Sequence, residues 1–295
     1  MSSSADSGCC SSEGGCCSPG PSTSTGAAAA LVDTAPVGDP PLPPIPEGAQ
    51  MVTLKIARYN PENPDAYAAT GGWQSFRVPA LPTDRLLNLL IYVKSYLDGS
   101  LTFRRSCAHG VCGSDGVRVN GNNKLACKLL MRDILPRTKN GQPGKEITLT
   151  IEPLRGLPVE KDLVVNMEPF MDAYKAVKPY LITTGNHPTR ERIQSQTDRA
   201  RYDDTTKCIL CAICTTSCPV YWSEGAYFGP AAIVNAHRFI FDSRDEAAAE
   251  RLDILNEVDG VWRCRTTFNC TDACPRGIEI TKAIQEVKRA LMFAR

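Results

Sequence analysis

The stretch "CILCAICTTSCP", Cys208 to Pro219, decides how the second half of the chain folds. Its thiols are spaced C-x2-C-x2-C-x3-C and a proline follows, a run that ligates iron–sulfur cubanes. Thiolates this crowded suit such a cluster better than zinc, whose sites use well-separated pairs. In chains with two clusters the fourth cysteine of the run ligates the other cluster. A second run is therefore needed, and "CRTTFNCTDACP", Cys264 to Pro275, supplies it with one member missing, because Thr267 occupies the middle cysteine position. Crossing the ligands gives Cys208, Cys211, Cys214 and Cys274 as four thiolates, enough for [4Fe–4S]. Cys218, Cys264 and Cys270 remain as three, a set that can hold [3Fe–4S].

Upstream, "SCAHGVCGSDGVRVNGNNKLAC" ends at Cys127 and carries Cys107 and Cys112. The plant-type [2Fe–2S] spacing is C-x4-C-x2-C with a further cysteine downstream. Here Asp115 stands in the third position. A carboxylate oxygen ligates iron, though it is harder than thiolate. The alternative is that Asp115 faces solvent and Ser114 or water fills its place. Gly110, Gly113, Gly116 and Gly121 let the backbone fold tightly there and aim N–H groups at sulfur. His109 is read as a loop residue, since a Rieske centre needs two histidines and another spacing.

The 295 residues are enough for two ordinary domains, and a formal charge of +1 argues against a general nucleic-acid binder. No apolar run approaches the ~18 residues of a membrane span; "LLNLLIYV" (86–93) is broken by Asn88 and ends at Lys94. The chain is therefore not expected to be an integral membrane protein. Residues 1–50 contain five acids and no Lys or Arg, and 24 of them are Ser, Gly or Pro. Such a segment is expected to be disordered; it is neither a basic transit peptide nor a secretory signal. Its Cys9, Cys10, Cys16 and Cys17 are expected to be solvated, reducible thiols. Disulfides need an oxidising compartment, and nothing signals export.

Residues 51–155 have a strand-and-turn texture: strands over 51–59, 72–81 and 146–154, and a helix near 84–97 capped by Thr83 or Asp84. Residues 156–295 show helical periodicity at 165–181, 230–244, 246–258 and 280–294. The expected fold class is α+β, a sheet domain followed by an all-α domain. The chain has no G-x-G-x-x-G fingerprint and no hydrolytic triad, so it reads as an electron relay.

The strings "SCAHGVCGSDG", "LRGLPVEKDLVV", "CILCAICTTSCP", "FGPAAIVNAHRFIFDSRD" and "WRCRTTFNCTDACPRGI" resemble the iron–sulfur subunit of succinate dehydrogenase and fumarate reductase, over about residues 51–295. The resemblance implies a plant-ferredoxin-like β-grasp domain and a helical domain like the two-cluster bacterial ferredoxins. It implies a flavoprotein partner holding FAD and a membrane anchor, often with haem b. It implies electron flow from FAD through [2Fe–2S], [4Fe–4S] and [3Fe–4S] to quinone, or the reverse in a fumarate reductase. It also implies a peripheral position on the cytoplasmic face of a bacterial membrane, or on the matrix face of the mitochondrial inner membrane. A soluble multi-cluster carrier is the competing reading.

Matched to the family's quinone contacts are Pro219, Tyr221, Trp222, Ser223, Arg265 and Thr267. Many members have Trp at 223, His at 265 and an aliphatic residue at 267. Those departures, with the charge around 198–204, resemble bacterial members and suggest menaquinone. Trp222 has a second reading as a core or interface aromatic. Arg104 and Arg105 are either a solvated pair or a contact for acidic groups of the flavoprotein.

Overall fold

Alternation makes the first strand. In Gln50–Ala57 (β1), Val52, Leu54 and Ile56 all face the core and are fully buried, the period-two pattern of a half-buried strand. Trp73–Ala80 (β2) runs antiparallel to β1, with Leu54 opposite Phe76. Gly116–Val119 (β3) and Asn122–Leu125 (β4) form a hairpin inside the first cysteine region. Ile147–Glu152 (β5) lies parallel to β1, with Leu54 opposite Leu149, and antiparallel to β3. The mixed sheet has the order β2-β1-β5-β3-β4. This computed structural model describes residues 41–135, 147–185, 189–224 and 226–293. The four leader cysteines lie outside the described residues.

Helix α1, Leu86–Tyr92, buries Leu86, Leu87, Leu89 and Leu90 and continues as one wider turn to Leu97. Neither expected cap forms. The Asp84 carboxylate turns back to accept from the Leu81 N–H at 2.8 Å, and the Arg85 N–H is accepted by Asn88 Oδ1 at 3.0 Å. The helix therefore opens one residue later, at Arg85.

A small hairpin, Val159–Lys161 (β6) and Val164–Val165 (β7), follows the sheet. Asp162 at its tip is 1% exposed and accepts from Arg58 Nε at 2.9 Å and from the Thr102 N–H at 2.8 Å. Burial of this pair is offset by directed bonds. They fasten the hairpin to the end of β1 and to the segment entering the first cysteine loop.

The rest is helical: α2 Glu168–Ala176, α3 Gln196–Ala200, α4 Ile213–Ser217, α5 Pro219–Glu224, α6 Gly229–Ile240, α7 Ala248–Leu255, α8 Asn269–Ala273 and α9 Ile280–Phe293. Apolar residues of α6 and α9, Ile233 and Ile284 among them, are fully buried. One continuous hydrophobic cluster runs from the sheet into these helices. The chain is thus a mixed-sheet domain followed by a helical domain, the α+β class expected from its sequence.

Candidate metal centres

The two C-terminal cysteine groups fold alike. Cys208 follows a 3-10 turn, Asp203–Lys207, and Cys264 follows another, Val261–Arg263. Leu210 and Ala212 then adopt φ of 54° and 59°, and Thr266 and Phe268 adopt 56° and 63°. Left-handed non-glycine residues are uncommon, so two alternating pairs at matching positions mark one repeated loop. Each loop feeds a five-residue helix, α4 or α8. Cys218 and Cys274 cap those helices in extended conformation, and Pro219 and Pro275 follow. Thr267 falls between its left-handed neighbours as Cys211 falls between Leu210 and Ala212.

Cys208, Cys211, Cys214 and Cys274 line one cavity, closed by Leu210, Ala231, Val234, Ile278 and Ile280. Burial, reinforced by the charges of Cys208 and Cys274, pushes the Cys211 thiol up to about 12. Burial likewise raises Cys208 and Cys214. A metal must displace these protons to bind. Asn235 Nδ2 donates to Cys208 Sγ at 3.4 Å, and the Ile278 N–H donates to Cys274 Sγ at 3.5 Å. An apolar cavity with four thiols and donors aimed at sulfur fits a cubane.

The remaining thiols, Cys218, Cys264 and Cys270, form a separate set. Burial raises Cys218 and Cys270, and the charge of Cys264 adds to both. Thr281 Oγ1 lies 3.7 Å from Cys270 Sγ. Helix α9 holds the third loop from below: Lys288 Nζ donates to the Cys264 carbonyl at 3.0 Å, and Gln285 Nε2 donates to Thr266 Oγ1 at 3.1 Å. Tyr227, 5% exposed, is buried beside this set.

The first loop is more open. The His109 and Cys112 N–H groups each donate to Cys107 Sγ at 3.3 Å. With Val111 they bring that thiol down to about 6, so it is a ready thiolate. Asp115 is 5% exposed. Its Oδ2 accepts from the Cys127 N–H, while its Oδ1 is buried with no partner. A buried oxygen left unpaired is costly, and an iron ligand at that atom would remove the cost. Burial, helped by Asp115, pushes the Cys127 thiol up to about 12. His109 is an exposed loop residue.

The three sets are arranged in order. A Cβ added at Gly113 would come within 2.5 Å of Cys211 Cβ, so the first loop touches the second. Lys128, next to Cys127, donates to the Pro275 carbonyl at 2.7 Å, next to Cys274. Cys214 feels the charge of Cys270 and so adjoins the third set. Among the described residues no three His, Cys, Asp or Glu side chains close on a single-ion site.

The residues matched to quinone contacts have two settings. Trp222 lies 4.0 Å from the Arg155 guanidinium, with its backbone against Gly156, in a polar cleft shared with Arg118, Lys124 and Asn269. Pro219 is half-buried, Tyr221 is buried, and the exposed Ser223 Oγ donates to the Pro219 carbonyl at 2.7 Å. Arg265 and Thr267 are exposed on the third loop, beside exposed Phe268. Arg104 meets Glu160 at 3.5 Å, and Arg105 is exposed. Sequence reading missed Tyr227, Asn235, Thr281 and Gln285. Asn235 lies within a string that carries the resemblance, but only the fold brings its amide to sulfur.

Residues 53–172 match the 2Fe-2S iron-sulfur cluster binding domain, and residues 200–275 match the 4Fe-4S dicluster domain. The succinate dehydrogenase iron-sulfur subunit of Coxiella burnetii is 39% identical over 244 residues, 82% of this chain and 97% of that protein. The fumarate reductase iron-sulfur subunit of Mycobacterium tuberculosis is 37% identical over 239 residues, 80% of this chain and 91% of that protein. A chain of the Mycobacterium smegmatis Sdh1 complex in the apo form shares the fold, with a TM-score of 0.69 at 23% identity, covering 84% of this chain and 98% of that one. Two matched cluster domains and a full-length likeness to both kinds of subunit agree with the ordered thiol sets. The chain belongs to the iron–sulfur subunits of the succinate dehydrogenase and fumarate reductase family, the electron-transfer subunits of succinate/fumarate:quinone oxidoreductase complexes.

Proposed function

We propose that this subunit holds three different clusters. Cys107, Cys112, Asp115 and Cys127 hold [2Fe–2S]; Cys208, Cys211, Cys214 and Cys274 hold [4Fe–4S]; Cys218, Cys264 and Cys270 hold [3Fe–4S]. The observation that carries this reading is the crossing itself. Cys274, 60 or more residues from the others in sequence, lines the same apolar cavity as Cys208, Cys211 and Cys214. When bound, the clusters supply one-electron steps between a two-electron flavin and a two-electron quinone. The chain's own residues space the sites, exclude water from the second and direct N–H groups at sulfur.

The partners follow from the family: an FAD-containing flavoprotein next to the exposed first loop, and a membrane anchor, with or without haem b, next to the third. Among the described residues no helix is long and apolar enough to cross a membrane, so contact with a membrane quinone falls to a peripheral surface. The exposed third loop with Arg265, Thr267 and Phe268, and α5 with Pro219, Trp222 and Ser223, support a quinone at the anchor interface. Menaquinone on the cytoplasmic face of a bacterial membrane is the assignment that the departures at 223, 265 and 267 favour.

Low-temperature EPR on the purified complex tests the cluster assignment. An oxidised sample is expected to show [3Fe–4S], and succinate is expected to bring up [2Fe–2S], with about nine irons per chain. A sample with no [3Fe–4S] signal and a fourth protein ligand at that site refutes the assignment.

A further inference from the structure

Tyr227 lies between α5 and α6, and its ring is enclosed. Its hydroxyl is buried with no hydrogen-bond partner. The backbone on its C-terminal side is fixed. The Phe228 N–H donates to the Asp259 carbonyl at 3.1 Å, and Gly229, with φ of 84°, lies so close to Thr215 that an added Cβ would come within 2.7 Å of that side chain. The phenol is thus held in a buried position against the start of α6. Its thiol neighbours are Cys264, Cys218 and Cys270, the three of the last set, ahead of Cys214 from the neighbouring set.

We propose that the Tyr227 hydroxyl donates a hydrogen bond to the sulfur shell of the three-thiolate site and holds that site's reduction potential up. This rests on the assignment of [3Fe–4S] to Cys218, Cys264 and Cys270. A buried hydroxyl needs an acceptor, and cluster sulfur is the acceptor that such a site brings. Reduction adds one electron and no proton to the site. The hydrogen bond strengthens as negative charge on sulfur grows, so the donor stabilises the reduced form more than the oxidised one. A tyrosine hydroxyl carries its proton at neutral pH, so the buried Tyr227 hydroxyl serves as a donor. No bond to hydrogen breaks, and the tyrosine is neither oxidised nor reduced. Tyr227 is thus a positioning and tuning residue. Thr281 Oγ1, 3.7 Å from Cys270 Sγ, is a second side-chain hydroxyl beside the last set.

The test is an EPR-monitored redox titration of the purified complex, wild type against Tyr227→Phe. The variant is expected to retain the [3Fe–4S] signal while its one-electron equilibrium constant for reduction falls about three- to tenfold, a lowering of about 30–60 mV. The midpoints of the other two sites are expected to stay in place. Electron–nuclear double resonance in H2O and D2O supplies a second readout: one exchangeable proton coupling present in wild type is expected to be missing in Tyr227→Phe. If Tyr227→Phe does not assemble, 3-fluorotyrosine at position 227, a stronger donor, is expected to raise the midpoint. An unchanged midpoint in whichever of these variants assembles overturns the proposal, as does a full set of exchangeable couplings in Tyr227→Phe. Loss of the [3Fe–4S] signal already in wild type would instead remove the cluster assignment beneath it.

Discussion

On the proposed cluster assignment, one side chain at position 267 separates a cubane site from a three-iron site. Thr267 sits between two left-handed residues, as Cys211 does, so its Cβ leaves the loop in the corresponding direction. Its hydroxyl is a poor iron ligand beside thiolate, and the residue is exposed. Restoring the thiolate should restore the missing corner. Thr267→Cys is expected to raise iron from about nine to about ten atoms per chain and to abolish the oxidised [3Fe–4S] signal. Unchanged iron and EPR would show that the repeated backbone does not place residue 267 at the cluster. Asp115 makes the complementary point. Spacing identified it as a possible ligand, but only the structure separates its two oxygens, one bonded to the Cys127 N–H and one unpaired.

At the scale of elements, what was legible in the sequence was whatever has a local cause. Alternation revealed β1 and β2, and helical periodicity revealed α6, α7 and α9 within a few residues of their ends. The β3–β4 hairpin was hidden, because "GVRVNGNNKL" looks like loop when its glycines and asparagines are read alone; its pairing with β5 comes from residues far along the chain. The cap of α1 was misplaced because Asp84 has a competing backbone partner. Contacts between elements left no local trace, and one of them is at Gly113. Its φ is 72°, and an added Cβ would lie 2.5 Å from Cys211 Cβ and 3.0 Å from its Cα. Gly113→Ala must push the first loop off the second. Overpacking of this kind costs about 1–3 kcal/mol, and a longer gap slows electron passage. Thermal unfolding of the complex should fall accordingly. Freeze-quenched EPR after succinate should show the [2Fe–2S] signal forming normally while reduction beyond it lags. Wild-type kinetics in Gly113→Ala would rule out this contact as the route between the two sites.

Over the whole molecule the two halves are expected to depend on metal to different degrees. The sheet half has an apolar core of its own, with Val52, Leu54, Ile56, Leu149 and Ile151 almost fully buried. The cysteine loops of the helical half feed α4 and α8, five residues each, far below the ~12–15 at which an isolated helix is even marginal. Their ends are held by Cys218 and Cys274, whose partners in each set come from distant loops. Cluster binding is then expected to contribute folding free energy chiefly around these two loops. Anaerobic removal of iron with a chelator should therefore act unevenly. Hydrogen exchange is expected to rise steeply at 208–218 and 264–274, while β1 and β5 stay protected. The continuous core between the halves opposes this outcome, because it couples the sheet to α4 through Asn123, whose side-chain amide donates to Thr216 Oγ1 at 2.8 Å. If that coupling is the stronger effect, all segments will lose protection together at one chelator concentration, and the clusters will prove to stabilise a single cooperative unit.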